Sequence, residues 1–97
     1  MFNKLLNKIF KTNKYSREVL EQAGIHAGKH KVEILKSEYC ACYYCQRTFL
    51  PSKIETWVDE ENTALCPKCG IDAVIGSASG LPINDHRYLK EAHAFYF

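Results

Sequence analysis

The chain has 97 residues, 46% of them hydrophobic and 25% charged, with a formal net charge of +2. That length suits one domain, that composition is too apolar for a disordered chain, and no apolar run reaches the ~20 residues a membrane span needs. Five cysteines are an odd number, so a complete set of intrachain disulfides is excluded, and four of the five fall in two C-x-x-C pairs.

In chain order, Phe2, Leu5, Leu6, Ile9 and Phe10 recur at i, i+3, i+4, i+7 and i+8, with Asn3, Lys4, Asn7, Lys8 and Lys11 between them. This pattern predicts an amphipathic helix, interrupted by Thr12-Asn13-Lys14. Ser16 suits the N-cap of a second helix carrying Val19, Leu20 and Ala23, which Gly24 and Gly28 weaken. Lys29 to Lys36 resumes the helical pattern with Val32 and Leu35 inward. From Tyr39 onward the residues are those of short strands. Pro51 to Ile54 reads as a turn, Glu55–Asp59 and Thr63–Cys66 as two strands joined by Glu60-Glu61-Asn62, and Ile71–Ile75 as a further strand. Gly76 to Gly80 is a loop. Asn84 or Asp85 then caps a last helix with Leu89, Ala92, His93 and Tyr96 on one stripe.

Charge divides the chain in the same way. Residues 1–36 carry a net +5 and residues 37–97 a net −3. The expected organisation is a basic helical arm over 1–36 and an α+β, zinc-ribbon-like domain over 37–97 closed by a short C-terminal helix. A treble clef is the alternative, and a helix starting at Cys66–Cys69 would distinguish it.

The chemistry lies in Cys42-Tyr43-Tyr44-Cys45 and Cys66-Pro67-Lys68-Cys69-Gly70. Two residues between cysteines let the backbone fold into a knuckle that aims both sulfurs at one ion, and Gly70 suits the positive φ that follows. Two such pairs, 20 residues apart, complete a tetrahedral Cys₄ shell for one Zn²⁺. Four protein ligands leave no position for water, so the ion is expected to be structural. Thioredoxin-type dithiols lack their βαβ setting here. Iron is a competitor, because C-P-x-C-G resembles the rubredoxin knuckle, although Gln46 replaces glycine after the first pair. Cys40 stands outside the set and reads as packing, an alternative ligand or a reactive thiol. With no export signal visible, the expected compartment is the reducing cytoplasm.

From about His26 onward the chain resembles small uncharacterised bacterial and prophage proteins labelled only as cytoplasmic proteins. The resemblance rests on CACYYCQRTFLPSKIETWVD, on TALCPKCGIDAVIGSASGLPI, and on a short helix ending in an aromatic pair, Tyr96-Phe97. It implies the zinc knuckles and a cytoplasmic location, and it carries no activity over. The stretch 1–25 lies outside it.

No catalytic constellation is visible. Gly76-Ser77-Ala78-Ser79-Gly80 has alanine where a nucleophile elbow needs serine. His26, His30, His86 and His93 lack the arrangement of an HNH nuclease. Trp57, Tyr39, Tyr43, Tyr44 and Phe49 could stack on bases or form the core of the ribbon. The arm could pack on its own domain, on a second copy or on a partner protein, or lie weakly on a membrane. The expected function is a non-catalytic zinc module acting as a protein-interaction adaptor or inhibitor. The alternatives are a nucleic-acid-binding zinc ribbon, with Lys4, Lys8, Lys11, Lys14 and Arg17 on phosphate, and a rubredoxin-like electron carrier.

Overall fold

A computed structural model describes residues 13–97. The amphipathic helix expected over Phe2 to Phe10 lies outside the described residues. Helix α1 (Arg17–Ile25) starts as the sequence predicts: the Ser16 hydroxyl accepts the Val19 N–H, and Leu20 and Ala23 are buried. It continues through Gly24, where an added Cβ would press on the hydroxyl and ring of Tyr96. The missing side chain is what makes room for that ring.

Helix α2 (Lys31–Lys36) corrects the expected facing. Ile34 is its buried residue, while Val32 and Leu35 are 69% and 64% exposed. The chain enters the helix later than the periodicity suggests, since Lys29 adopts φ +48° and its N–H goes to the Thr63 hydroxyl. His30 is then drawn inward, and the residue one turn on from it is Ile34 rather than Val32 or Leu35.

Strand β1 (Cys40–Cys42) is the centre of a three-stranded antiparallel sheet, flanked by β2 (Thr48–Phe49) and β5 (Val74–Gly76). Cys40 pairs with Phe49 on one side and Gly76 on the other, and Cys42 pairs with Val74. Strands β3 (Trp57–Val58) and β4 (Thr63–Ala64) form a separate hairpin. Its strands are shorter than expected, because Asp59, Glu60 and Glu61 all adopt positive φ and turn the chain early. The last strand likewise begins at Val74 rather than Ile71. A 3₁₀ turn at Ser77–Ser79 forms part of the expected loop.

The C-terminal helix α3 (His86–Tyr96) is capped by Asp85, whose carboxylate accepts the Arg87 N–H. It buries Tyr88, Leu89, Glu91 and Ala92. Tyr88 and Tyr96 donate their hydroxyls to the Val19 and Glu21 carbonyls of α1, and Glu91 accepts the N–H groups of Lys14 and Tyr15. Leu20, Ala23, Ala27 and Ile34 therefore share one core with Cys40, Val74, Ile75, Tyr88 and Leu89. A strand follows the second knuckle and the next helix begins only at His86, so the arrangement is a zinc-ribbon-like α+β fold and not a treble clef.

Candidate metal centre

Knuckle one leaves β1 and returns into β2, while knuckle two lies between β4 and β5. Pairing of β1 with β5, extended by the Tyr43 N–H to the Ala73 carbonyl, sets the knuckles side by side. The two turns repeat each other bond for bond. Cys42 N–H donates to the Arg47 carbonyl and Cys66 N–H to that of Ile71, both at 3.0 Å. Gln46 N–H donates to the Cys42 carbonyl and Gly70 N–H to that of Cys66, at 2.7 and 2.8 Å. The fifth position of each turn is left-handed, at φ +64° for Gln46 and +82° for Gly70. Gln46 thus adopts the glycine conformation without being glycine.

This geometry converges four sulfurs. The Sγ atoms of Cys42, Cys45, Cys66 and Cys69 all lie within 4.8 Å of one another. Cys42 Sγ is 3.7 Å from Cys69 Sγ, and Cys45 Sγ is 3.7 Å from Cys66 Sγ. A tetrahedron with 2.3 Å metal–sulfur bonds has an edge of about 3.8 Å, whereas a disulfide needs about 2.05 Å. The spacing fits four ligands around an ion and fits no disulfide. The four cysteines could therefore hold a metal ion.

Burial raises the Cys42 thiol well above its usual range, and burial raises Cys69 as well. Burial also acts upward on Cys66, but the N–H groups of Lys68 and Cys69 together with the Cys45 and Cys69 thiols outweigh it, and the net shift is down. The Lys68 N–H lies 3.3 Å from Cys66 Sγ. A bound divalent ion would reverse the upward shifts and release the protons.

No family model matches the chain, and neither a curated protein nor a solved structure matches it. The reading of the centre rests on its geometry.

Cys40 is fully buried in β1, and burial pushes its thiol up to about 11. It is not in the four-sulfur cluster, and its place is in the core. The aromatics considered for stacking are dispersed. Tyr43 and Phe49 are buried, Trp57 lies under the Lys31 ammonium, and Tyr44 packs edge-on against Phe97. The Gly76–Gly80 segment is a brace: Ser77 Oγ accepts the Glu38 N–H and the Ala78 N–H donates to Ser37 Oγ.

Sequence reasoning underrated His30. It is buried, its Nδ1 lies 2.7 Å from the His26 carbonyl, and its Nε2 lies 3.0 Å from the Ala64 nitrogen. A carbonyl can only accept and an amide N–H can only donate, so the ring is neutral with its proton on Nδ1. It ties the helical layer to the strand that leads into knuckle two. Among the described residues no helix is long and apolar enough to cross a membrane.

Proposed function

We propose that this protein is a non-catalytic interaction module whose four cysteines hold one structural Zn²⁺ and whose helical layer docks a partner protein. A shell of four protein sulfurs offers no open coordination position, so the ion would serve folding rather than Lewis-acid chemistry. The observation that carries the docking role is the exposure of Ile25, Val32 and Leu35, at 65%, 69% and 64%. Three exposed aliphatic side chains within eleven residues, among Lys29, Lys31 and Lys36, suit an apolar segment with acidic flanks. The reducing cytoplasm is the compartment consistent with free thiolates as ligands.

The test has two parts. Native protein analysed for metal should contain one zinc per chain and be colourless, whereas an iron centre would make the electron-carrier reading the better one. The full chain as bait should then retain a protein partner that is lost with Val32→Asp plus Leu35→Asp, a variant expected to keep its zinc. Retention of the same proteins by both baits would overturn the docking role.

A further inference from the structure

The metal centre and the helical face leave one cluster of side chains without employment. A cleft of about 440 Å³ opens between the first knuckle and the start of α3, lined by Gln46, Arg47, Thr48, Lys68, Asn84 and His86. Buried Ile83 and Leu89 also line it. Every polar residue on that wall can donate a hydrogen bond, and no carboxylate is among them. This is notable in the half of the chain whose net charge is −3.

The cations of the cleft are among those with no carboxylate partner in the described residues, whereas four others are paired. Lys14, Arg17, Lys31 and Arg87 each pair with a carboxylate, those of Asp85, Glu21, Glu61 and Glu91. The side chains of Arg47, Lys68 and His86 make no ion pair or hydrogen bond with the described residues. Asp85, next to His86 in sequence, is not in the lining. Its carboxylate is already held by Lys14 Nζ, the Tyr15 hydroxyl and the Arg87 N–H. That carboxylate is thereby engaged by groups outside the cleft.

A second observation concerns Gln46. The equivalent position of the other knuckle is Gly70, with nothing within 4 Å of an added Cβ, and glycine is the residue that the left-handed turn prefers. Gln46 holds that conformation at a cost and is one of the residues lining the cleft.

We propose that this cleft binds a phosphoryl group, with Arg47 and Lys68 supplying charge and Gln46, Thr48, Asn84 and His86 supplying directed donors. Such a group could arrive as free inorganic phosphate or on the backbone of a single-stranded nucleic acid. The chemistry is shared, and the two sources separate by experiment. The site shares no lining residue with the apolar helical face, so neither proposal depends on the other.

The test uses the full-length, zinc-loaded chain labelled for NMR at constant ionic strength, titrated separately with inorganic phosphate and with an oligothymidylate. Saturable shifts confined to residues 46–48, 68 and 84–86 are expected with phosphate. Arg47→Ala or Lys68→Ala should each weaken the binding about tenfold while leaving zinc content unchanged. If nucleic acid is the source, the oligonucleotide binds more tightly than phosphate, with a log–log salt slope of about −1.4 for two charged contacts. If the source is a free anion, phosphate saturates and the oligonucleotide does not. Absence of saturation with both probes would overturn the proposal. So would loss of zinc in the two variants with phosphate binding unchanged, since the cations would then serve only to balance the thiolates.

Discussion

The matched knuckles allow a paired experiment on backbone strain. Gly70 sits at φ +82° with open space where a Cβ would go, so Gly70→Ala adds no clash and tests the dihedral alone. The left-handed conformation costs an L-residue about 1–2 kcal/mol. Gln46 already bears that cost at φ +64°. Gln46→Gly should recover it, less the ~0.5–1 kcal/mol by which glycine's freer unfolded chain opposes folding. The expected result is opposite in sign at two positions with identical hydrogen bonding. Gly70→Ala is destabilising by ~1–2 kcal/mol, and Gln46→Gly is stabilising by a few tenths to ~1 kcal/mol. Both turns present candidate ligand sulfurs, so the changes should also register as metal affinity. Competition with a chromophoric chelator should show roughly 5–30-fold weaker zinc binding for Gly70→Ala, because 1.4 kcal/mol is a factor of ten. Zinc affinity within twofold of wild type for Gly70→Ala, or a destabilised Gln46→Gly, would refute the claim that the two turns are mechanically equivalent.

Three further outcomes follow from other contacts. Chelation of the metal should unfold the ribbon cooperatively, reported by Trp57 fluorescence and far-ultraviolet circular dichroism. Cys40→Ser should keep full zinc stoichiometry, whereas Cys42→Ser should not, because only the latter sulfur belongs to the cluster. Glu91→Ala strands the N–H groups of Lys14 and Tyr15 and removes the Glu91–Arg87 ion pair, and should cost about 2 kcal/mol in denaturant unfolding. A loss below about 0.5 kcal/mol would show that water replaces the carboxylate at no cost.

How far the sequence reveals the fold depends on whether a constraint is local. The Ser16 and Asp85 caps, the α1 stripe through Leu20 and Ala23, and the knuckles are set by neighbours a few residues away, and all are legible. The facing of α2 is not. Val32, Ile34 and Leu35 are equally apolar to any periodicity argument. The choice among them follows from Lys29 and His30 bonding Thr63 and Ala64, more than thirty residues downstream. The same holds for the early turn at Asp59–Glu61. Three acidic residues in left-handed conformation have no signature of their own, and the segment is held in part by the Asn62 carbonyl accepting the His30 N–H. The candidate ligands were legible because C-x-x-C encodes its own turn. The cleft of Arg47, Lys68 and His86 was not, because it forms only when β2, the second knuckle and α3 meet. One local sign of it existed, since Gln46 replaces the glycine that the other knuckle carries.

His30 also links the helical layer to the hairpin through protonation. Burial lowers its pKa from the usual value of 6.5, and the folded ring accepts the Ala64 N–H on Nε2, a bond that the imidazolium cannot make. Above about pH 6.5 the ring is neutral in both the folded and the unfolded chain, so the bond contributes in full. As pH falls below that value the unfolded chain takes up the proton first. Stability then declines by up to ~1.4 kcal/mol per pH unit until the folded ring titrates. Acid would also protonate the proposed thiolate ligands, so the informative quantity is a difference. Between pH 7.5 and 5.5, denaturant unfolding of zinc-loaded protein should lose stability more steeply for wild type than for His30→Gln, which cannot titrate. Parallel curves would mean that the acid sensitivity belongs to the metal centre alone, and that His30 fixes the α2 entry by shape rather than by charge.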